Sequence, residues 1–416
     1  MNDLTENTTV IEAASLCENL IKDKFSEIDN ISQINTKKVI KAFQKHRVSD
    51  TCFAGTNGYG YNDRGREVLD LVFAEIFDCE AALVRTGFVN GTHAIACALY
   101  GALKHGDKLL SVMGAPYDTI QSVIGITGNN LGSLLDLGIN YHEVPVLNNG
   151  SADFEAIRKT AEEILPELVL IQRSRGYSTR KTLLVKDIER ICKDIKQVSP
   201  NSVIIVDNCY GEFTETYEPT KVGADLIAGS LIKNPGGGIA PCGGYVAGKE
   251  SLVQKAAYRL TVPGVGGECG ATLNTNLSLF QGLFLAPHVV AQAVKTSLLC
   301  AKMAEHFGFE TYPSSDEPRS DIIQCIKLGT PELLKSFCRG IQSGSAVDSF
   351  VSPEPWQMPG YDCEVIMAAG AFIQGSSIEL SADAPLRMPY NVFVQGGLTY
   401  ESGKYGIINA FSQIIT

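Results

Sequence analysis

The chain has no CxxC pair. Its twelve cysteines are scattered from Cys17 to Cys363, so neither a zinc knuckle nor a small disulfide scaffold is expected, and no metal site. They read as the reduced, buried thiols of a cytosolic protein. Basic residues are in short supply too: 35 Lys and Arg against 46 Asp and Glu give a formal net charge of −11. That balance argues against nucleic acid or an anionic membrane as partner, because both need a basic surface. The opening MNDLTENTTV lacks a basic region followed by an apolar core, and no apolar run approaches the ~20 residues of a membrane span. A cytoplasmic protein is therefore expected. No GxGxxG opens the first βα unit, which sets aside a nicotinamide dehydrogenase. Internal repeats and low-complexity tracts are missing as well. What is present is ordinary globular composition, 44% hydrophobic and 19% charged over 416 residues, enough for two domains and a large core.

Apolar positions at Ile11, Ala14, Leu16, Leu20, Ile21 and Phe25, followed by VIKAFQKHRV, predict one or two helices ahead of the main domain. The run from Phe53 to Gly65 is rich in glycine and aromatics without periodicity, hence a loop. REVLDLVFAEIF is an amphipathic helix, ALVRTG a strand, and AIACALYGAL a further helix. GDKLLSV, INYHEVPV and LVLIQRS continue the strands, with a helix around Phe154 to Ile164 between the last two. This alternation predicts a largely parallel sheet with helices on both faces. LSLFQGLFLAPHVVAQAVKTSLLCAKMAEHFGF reads as a helical bridge broken near Pro287. A smaller α/β unit follows, with DIIQCIKL, SAVDSFV and CEVIMAAGAF as strands and PELLKSFCRGIQ as helix. The expected division is a helical segment over 1–55, a large domain over 56–285 and a small domain over 286–416.

Ligands in such sheets bind at the carboxyl ends of strands. The β-branched run Val203 to Val206 ends on Asp207, and Ala224 to Leu231 leads to Lys233 and a glycine-rich turn. An acid and an amine launched from neighbouring strand ends are what pyridoxal phosphate chemistry requires. The lysine holds the aldehyde, and the acid favours the protonated pyridine nitrogen. An Asp after a strand is also a common cap, and Gly236 to Gly238 could make a flexible turn or approach another nucleotide's phosphate. Asn90-Gly91-Thr92-His93 opens a helix, where unpaired N–H groups meet an anion. Gly91 and Thr92 are thus the phosphate candidates, although Asn and Thr are ordinary caps too. Tyr117 lies at another strand end, with a flat face suited to stacking on a pyridine. His93 competes for that role but at a helix start reads as a structural hydrogen-bonder. Gln172, Arg173, Ser174 and Arg175 fall at the end of LVLIQRS, where one of them could reach cofactor or substrate and either arginine could equally pair with surface acids.

The segment SLIKNPGGGIAPCGGYVAG, with GYGYNDRGRE, VRTGFVNGTHAIACAL, IQRSRGYS, YRLTVPGVGGECG, QGLFLAPHVV, DSFVSPEPWQMPGY, VIMAAGAFIQGSSIELSADAPLRMPY and VFVQGGLTYE, resembles the fold-type I pyridoxal phosphate enzymes. Within them it resembles the methionine gamma-lyase and cystathionine beta-lyase-like family, also called aluminium resistance proteins. The likeness covers about Asn57 to Gly406. It implies an aspartate aminotransferase-like fold, with Lys233 and Tyr117 catalytic and Asp207 at the ring nitrogen. It places Gly91, Thr92 and Ser230 at the phosphate. Where related lyases read Ser-x-Thr-Lys, this chain has Ile232 for the threonine, and Asn90 stands in for a serine before Gly91; the lost threonine contact could be supplied by the glycines after Asn234.

The resemblance further implies a homo-oligomer, a dimer sharing active sites within a tetramer. Tyr61 and Arg64 reach the partner's phosphate in that scheme, with Tyr59 as competitor for Tyr61, and the N-terminal segment helps bind the partner. Arg387, shortly before Gly397-Leu398-Thr399-Tyr400-Glu401, occupies the place of the substrate-carboxylate arginine, a structural salt bridge being the other reading. The implied reaction is carbon–sulfur cleavage of a sulfur amino acid (cystathionine, cysteine or methionine-like) by β- or γ-elimination. Another pyridoxal phosphate reaction, such as γ-replacement, racemisation or transamination, uses the same core residues, and a non-catalytic cofactor-binding stress protein is the remaining alternative.

Overall fold

The computed structural model describes residues 7–358 and 363–415. The end of the motif DSFVSPEPWQMPGY and the first six residues of the N-terminal segment lie outside them. Two helices open the chain, α1 (Thr8–Leu20) and α2 (Lys22–Lys45). The side chain of Asn7 caps α1 by accepting from the Val10 N–H. After a loop comes α3 (Arg64–Ile76), started by Asp63, which accepts from the Arg66 N–H. The large domain then alternates as predicted: β1 (Ala81–Arg85), α4 (Gly91–Ala102), β2 (Lys108–Ser111), α5 (Asp118–Ile124), β3 (Asn140–Glu143), α6 (Phe154–Ile164), β4 (Leu168–Gln172), α7 (Val185–Val198), β5 (Val203–Asp207), β6 (Leu226–Ser230), β7 (Gly244–Gly248) and α8 (Glu250–Leu260).

The seven strands run in the order β1-β7-β6-β5-β4-β2-β3. β3, β2, β4, β5 and β6 are parallel, while β7 lies antiparallel to both β6 and β1. β4 to β7 are buried along their whole length, apart from the half-buried Val203, as strands covered on both faces must be. Alternate residues serve opposite cores. Val169, Ile171, Ile204 and Val206 pack with α3, α6 and α7, while Leu168, Leu170 and Ile205 pack with α4 and α8.

The long helix α9 (Asn276–His306) joins this domain to a second, antiparallel sheet. That sheet holds β8 (Glu310–Tyr312), β9 (Ile323–Lys327), β10 (Trp356–Gln357), β11 (Glu364–Ala369), β12 (Ser381–Pro385) and β13 (Asn391–Gln395), ordered β10-β11-β12-β13-β9-β8. α10 (Pro331–Ser343) and α11 (Tyr400–Ser412) share its core. Val10, Ala14 and Cys17 of α1, with the following Ile21, join that same core, so the N-terminal helix packs on its own chain.

Two expectations need correction. α9 is not broken at Pro287: the proline sits buried inside one continuous helix. Its ring removes one N–H from the ladder, but apolar packing along α9 holds the helix on both sides of it. SAVDSFV, residues 345–351, forms turns rather than a strand; Asp348 has φ 52°, which interrupts any extended run. By length and composition α9 could cross a membrane, yet most of its apolar stretch is buried against the rest of this chain.

Candidate active site

The parallel strands deliver their carboxyl ends to one edge of the large sheet, and the small sheet closes over that edge. Hydrogen bonds tie the two together there. Arg175 N–H donates to Asp321 Oδ2 (3.1 Å), Tyr177 Oη to Asp383 Oδ2 (2.8 Å), Tyr210 Oη to Ser377 Oγ (3.1 Å), and Ser376 Oγ to the Ile232 carbonyl (2.8 Å). Asp207 ends β5 and Ser230 ends β6, its neighbour, with Lys233 three residues further on.

Asp207 is buried, and loss of hydration pushes its carboxyl above the usual range, against the pull of the Cys209 thiol and N–H, Lys233 and Arg180. Its Oδ1 accepts the Cys209 N–H at 3.1 Å. A desolvated carboxylate of this kind favours a nearby cationic N–H. The Lys233 ammonium lies 3.8 Å from the centre of the Tyr210 ring. Burial lowers its pKa, but Tyr210, Cys209 and Asp207 outweigh that and raise it.

Gly91, at the start of α4 with Thr92 after it, packs against Ser230. Asn90 Oδ1 accepts the His93 N–H at 2.9 Å, capping α4, so Asn90 is occupied as a helix cap. His93 Nδ1 in turn takes the Val89 N–H, the structural role. Gly91 makes a close approach here: a Cβ would stand 3.1 Å from Ser230 Cβ and 3.3 Å from Cys209 Sγ, so glycine lets the start of α4 press against the ends of β5 and β6. Thr92 Oγ1 bonds Thr119 Oγ1 at 2.7 Å. Ser230 Oγ is buried with no hydrogen-bond partner among the described residues, an orphan donor beside a twelve-residue helix N-terminus. This cradle fits a phosphate, and together with Asp207 and Lys233 the residues present fit pyridoxal phosphate. The glycines after Asn234 do something else. Gly237 has φ 53° and a Cβ there would meet the Gly282 carbonyl at 2.4 Å, so this turn packs backbone to backbone on α9.

Tyr117 begins α5 at the end of β2. Its N–H donates to Gln172 Oε1 (2.6 Å), and its ring meets that of Tyr177 edge-on at 5.6 Å. Both line a cleft of about 1000 Å³ shared with Arg175, Arg180 and Arg387. Lys233 and Asp207 are not among its lining residues; Tyr117, Gln172 and Arg180 connect it to the strand ends. Arg387 is exposed on the turn between β12 and β13, far along the chain from the buried arginines of the β4 loop. Tyr61 and Arg64 are also exposed, Tyr61 stacking beside Tyr59 (5.7 Å). Within this chain they stand apart from Lys233, on a loop fastened by Arg66, whose guanidinium donates to the carbonyls of Gly60, Gly270 and Glu268.

Sequence reading missed four residues. Tyr210 faces Lys233 with φ 72°, a backbone strain that marks functional sites. Its signal was an aromatic residue three positions beyond the strand-end acid. Arg180 and Tyr177 lie in the loop after β4. Asp383, on β12, is a buried carboxyl pushed up to about 6 by desolvation, against Tyr177, Lys233 and Gln395; a single acid in an alternating strand carried no signal.

A mostly parallel sheet of this order, with a lysine and an acid at adjacent strand ends, defines the fold-type I class of pyridoxal phosphate enzymes. The pyridoxal-5'-phosphate dependent protein YhfS of Escherichia coli shares that fold at 17% identity, with a TM-score of 0.61 over 92% of this chain and 95% of that one. Within the class the assignment is narrower. The family described as methionine gamma-lyase matches residues 10–415, and the chain belongs to it. A carbon-sulfur lyase involved in aluminum resistance from Clostridium novyi is 52% identical, with a TM-score of 0.95 covering 99% of this chain and 97% of that one. A candidate cystathionine beta-lyase involved in aluminum resistance from Clostridium acetobutylicum is 48% identical, with a TM-score of 0.96 over 100% and 98%. The uncharacterized protein YnbB of Bacillus subtilis is 45% identical over 99% of this chain and 98% of its own length.

Proposed function

We propose that this protein is a cytoplasmic, pyridoxal phosphate-dependent carbon–sulfur lyase that converts a sulfur amino acid into a keto acid, ammonia and a thiol by β- or γ-elimination. The observation that carries this reading is the placement of Asp207 and Lys233 beyond the ends of the adjacent strands β5 and β6, with the buried Ser230 hydroxyl against the start of α4, together with the family membership. The bound cofactor supplies an aldehyde that captures the amine and a ring that accepts carbanion charge. Ser230 Oγ and the N–H groups of Gly91 and Thr92 hold its phosphate. Asp207 favours a proton on the pyridine nitrogen. Tyr117, its backbone fixed by Gln172, would offer its ring face to the pyridine. Lys233 would take the substrate's α-proton at Nζ. The same Nζ would hand that proton on to the departing sulfur.

The exposed Tyr61 and Arg64, on a loop held firmly by Asp63 and Arg66, support a homo-oligomer in which they complete the partner's phosphate site. Mixing Arg64→Ala with Lys233→Ala subunits should then restore activity, and no rescue in confirmed mixed oligomers would sink the shared site. The reaction is tested by product identification after incubating cofactor-loaded protein with cystathionine, cysteine, methionine and acyl-homoserines. Pyruvate establishes β-elimination and 2-oxobutyrate γ-elimination. No keto acid from any of them, with cofactor bound at Lys233, would overturn the lyase reading in favour of another pyridoxal phosphate reaction or a non-catalytic role.

A further inference from the structure

The loop after β4 carries an excess of buried positive charge that the chain does not neutralise. Arg175 is only 2% exposed, yet its guanidinium makes no hydrogen bond among the described residues. Among the described residues its one ion-pair partner is Asp321, 3.8 Å from Nε, with Glu317 a more distant acid that it also influences. Both oxygens of Asp321 are already engaged by backbone, Oδ2 with Arg175 N–H and Oδ1 with Ile323 N–H. Arg180, 7% exposed, spends one terminal nitrogen on the carbonyls of Gln172 and Ser174, while its Nη1 is sealed off without an acceptor. Arg319 stands behind them, bonded only to the neutral Gln324 and Ser297. Mutual repulsion adds to burial in pulling the last two guanidinia down to about 10.

Buried polar groups are otherwise satisfied in folded chains, and an uncompensated buried charge is expensive. Here both Arg175 and Arg180 line the large cleft with Tyr117. That cleft has five basic lining residues against three acidic ones, in a chain with net charge −11. The phosphate cradle lies elsewhere: it is built at β5 and β6, whereas these arginines follow β4, on the β2 side of Asp207 in the strand order. A second anion is therefore wanted, on the cleft side of the cofactor position. Planar guanidinium forks are suited to a carboxylate.

We propose that Arg175 and Arg180 are the residues that bind the substrate's carboxylate, with Asp321 positioning Arg175 from the small domain, and that Arg387 at the exposed turn is not. That the two guanidinia hold an anion stands on the geometry; that the anion is the substrate's carboxylate rests on the lyase reading.

The test is calorimetric titration of the holoenzyme with L-alanine, which has no sulfur to expel, and with ethylamine, which has the same skeleton without the carboxylate. The wild type is expected to bind alanine about 100-fold more tightly, and Arg175→Gln and Arg180→Gln to shrink that ratio below about 10-fold, the range of hydrogen bonds to charged groups. Arg175→Lys, keeping charge without the fork, should fall between. Discrimination untouched in both glutamine variants, or lost in Arg387→Gln alone, overturns the proposal. So does sulfate binding more tightly than alanine in an Arg175-dependent manner, which would make this an inorganic-anion site. Because Arg175 loses no hydrogen-bonded partner, its glutamine variant should keep Tm within about 2 °C; a large drop would mean a structural pair with Asp321 and would also overturn it. If no sulfur amino acid yields a keto acid while the alanine discrimination holds, the lyase reading fails and the carboxylate pocket stands.

Discussion

Arg173 and Arg175 are two residues apart beyond β4, and both are buried. Arg173 turns into the loop that follows β5, where its terminal nitrogens meet Glu218 Oε2 (3.0 Å), Glu215 Oε1 (3.0 Å), Asn208 Oδ1 (2.8 Å) and Thr214 Oγ1 (3.3 Å). That network continues through Tyr245 to Glu212, whose carboxyl burial raises to about 8. Asn35 of α2 braces the same loop by donating to the carbonyls of Phe213 and Glu215. Arg175 turns the other way, toward the cleft, with Arg180, and the nearest acid, Asp321, stays 3.8 Å from its Nε and out of hydrogen-bond range. One assembly is closed and internally neutralised, so it contributes stability. The other is left open, and open buried donors store binding capacity at a cost in stability. The contrast shows how a single loop can carry both a strut and a site, and why residue type alone does not separate them.

The comparison is broken most directly at Lys233. Lys233→Ala should lower keto acid formation by about 10³-fold or more, leave Tm near that of the wild type, and abolish borohydride fixation of cofactor; fixation on another lysine would remove Lys233 from its role. The next largest effect lies in the closed assembly. Arg173→Ala strands Glu215 and Glu218 and should cost about 3–5 kcal/mol of stability, read by denaturant unfolding; a loss below about 1 kcal/mol would erase the distinction from Arg175.

Asp383 probes the border between the two. Its folded pKa of about 6 lies above the unfolded value, so the folded state holds the proton more tightly and stability falls as pH rises from about 4 to about 6. The decline attributable to this group is about 2–3 kcal/mol, and Asp383→Asn should flatten it. An unchanged pH slope would show that Asp383 is not desolvated. Smallest is Ser230→Ala: loss of the orphan hydroxyl should weaken pyridoxal phosphate affinity by about 10-fold, a single hydrogen bond to a charged group, with no loss of Tm in the cofactor-free protein. Unchanged affinity would take Ser230 out of the phosphate cradle.

Periodicity and strand-end chemistry were enough to place Asp207 and Lys233 at adjacent strand ends, Gly91 and Thr92 at a helix start and Tyr117 beyond β2, because each of these depends on a local run of some five to twelve residues. The alternating β and α pattern determined the parallel sheet for the same reason. Local pattern failed where a distant segment decides. Pro287 stays helical because α9 is packed on both sides of it, and Gly237 serves α9 rather than a phosphate. Asp383 came to Tyr177 and Lys233 only when the small sheet closed on the large one, and no spacing along the chain encodes that. Whether an arginine is a strut or a ligand depends on which carboxylates surround it in space. For Arg173 these lie more than forty residues downstream, and for Arg175 and Arg180 none reaches hydrogen-bonding range among the described residues. Sequence determined the strands, the helices and the acid–lysine pair, since these follow from short-range sterics and hydrophobic period. Tertiary structure alone decided which charges are answered, because electrostatic compensation is a property of distance in space.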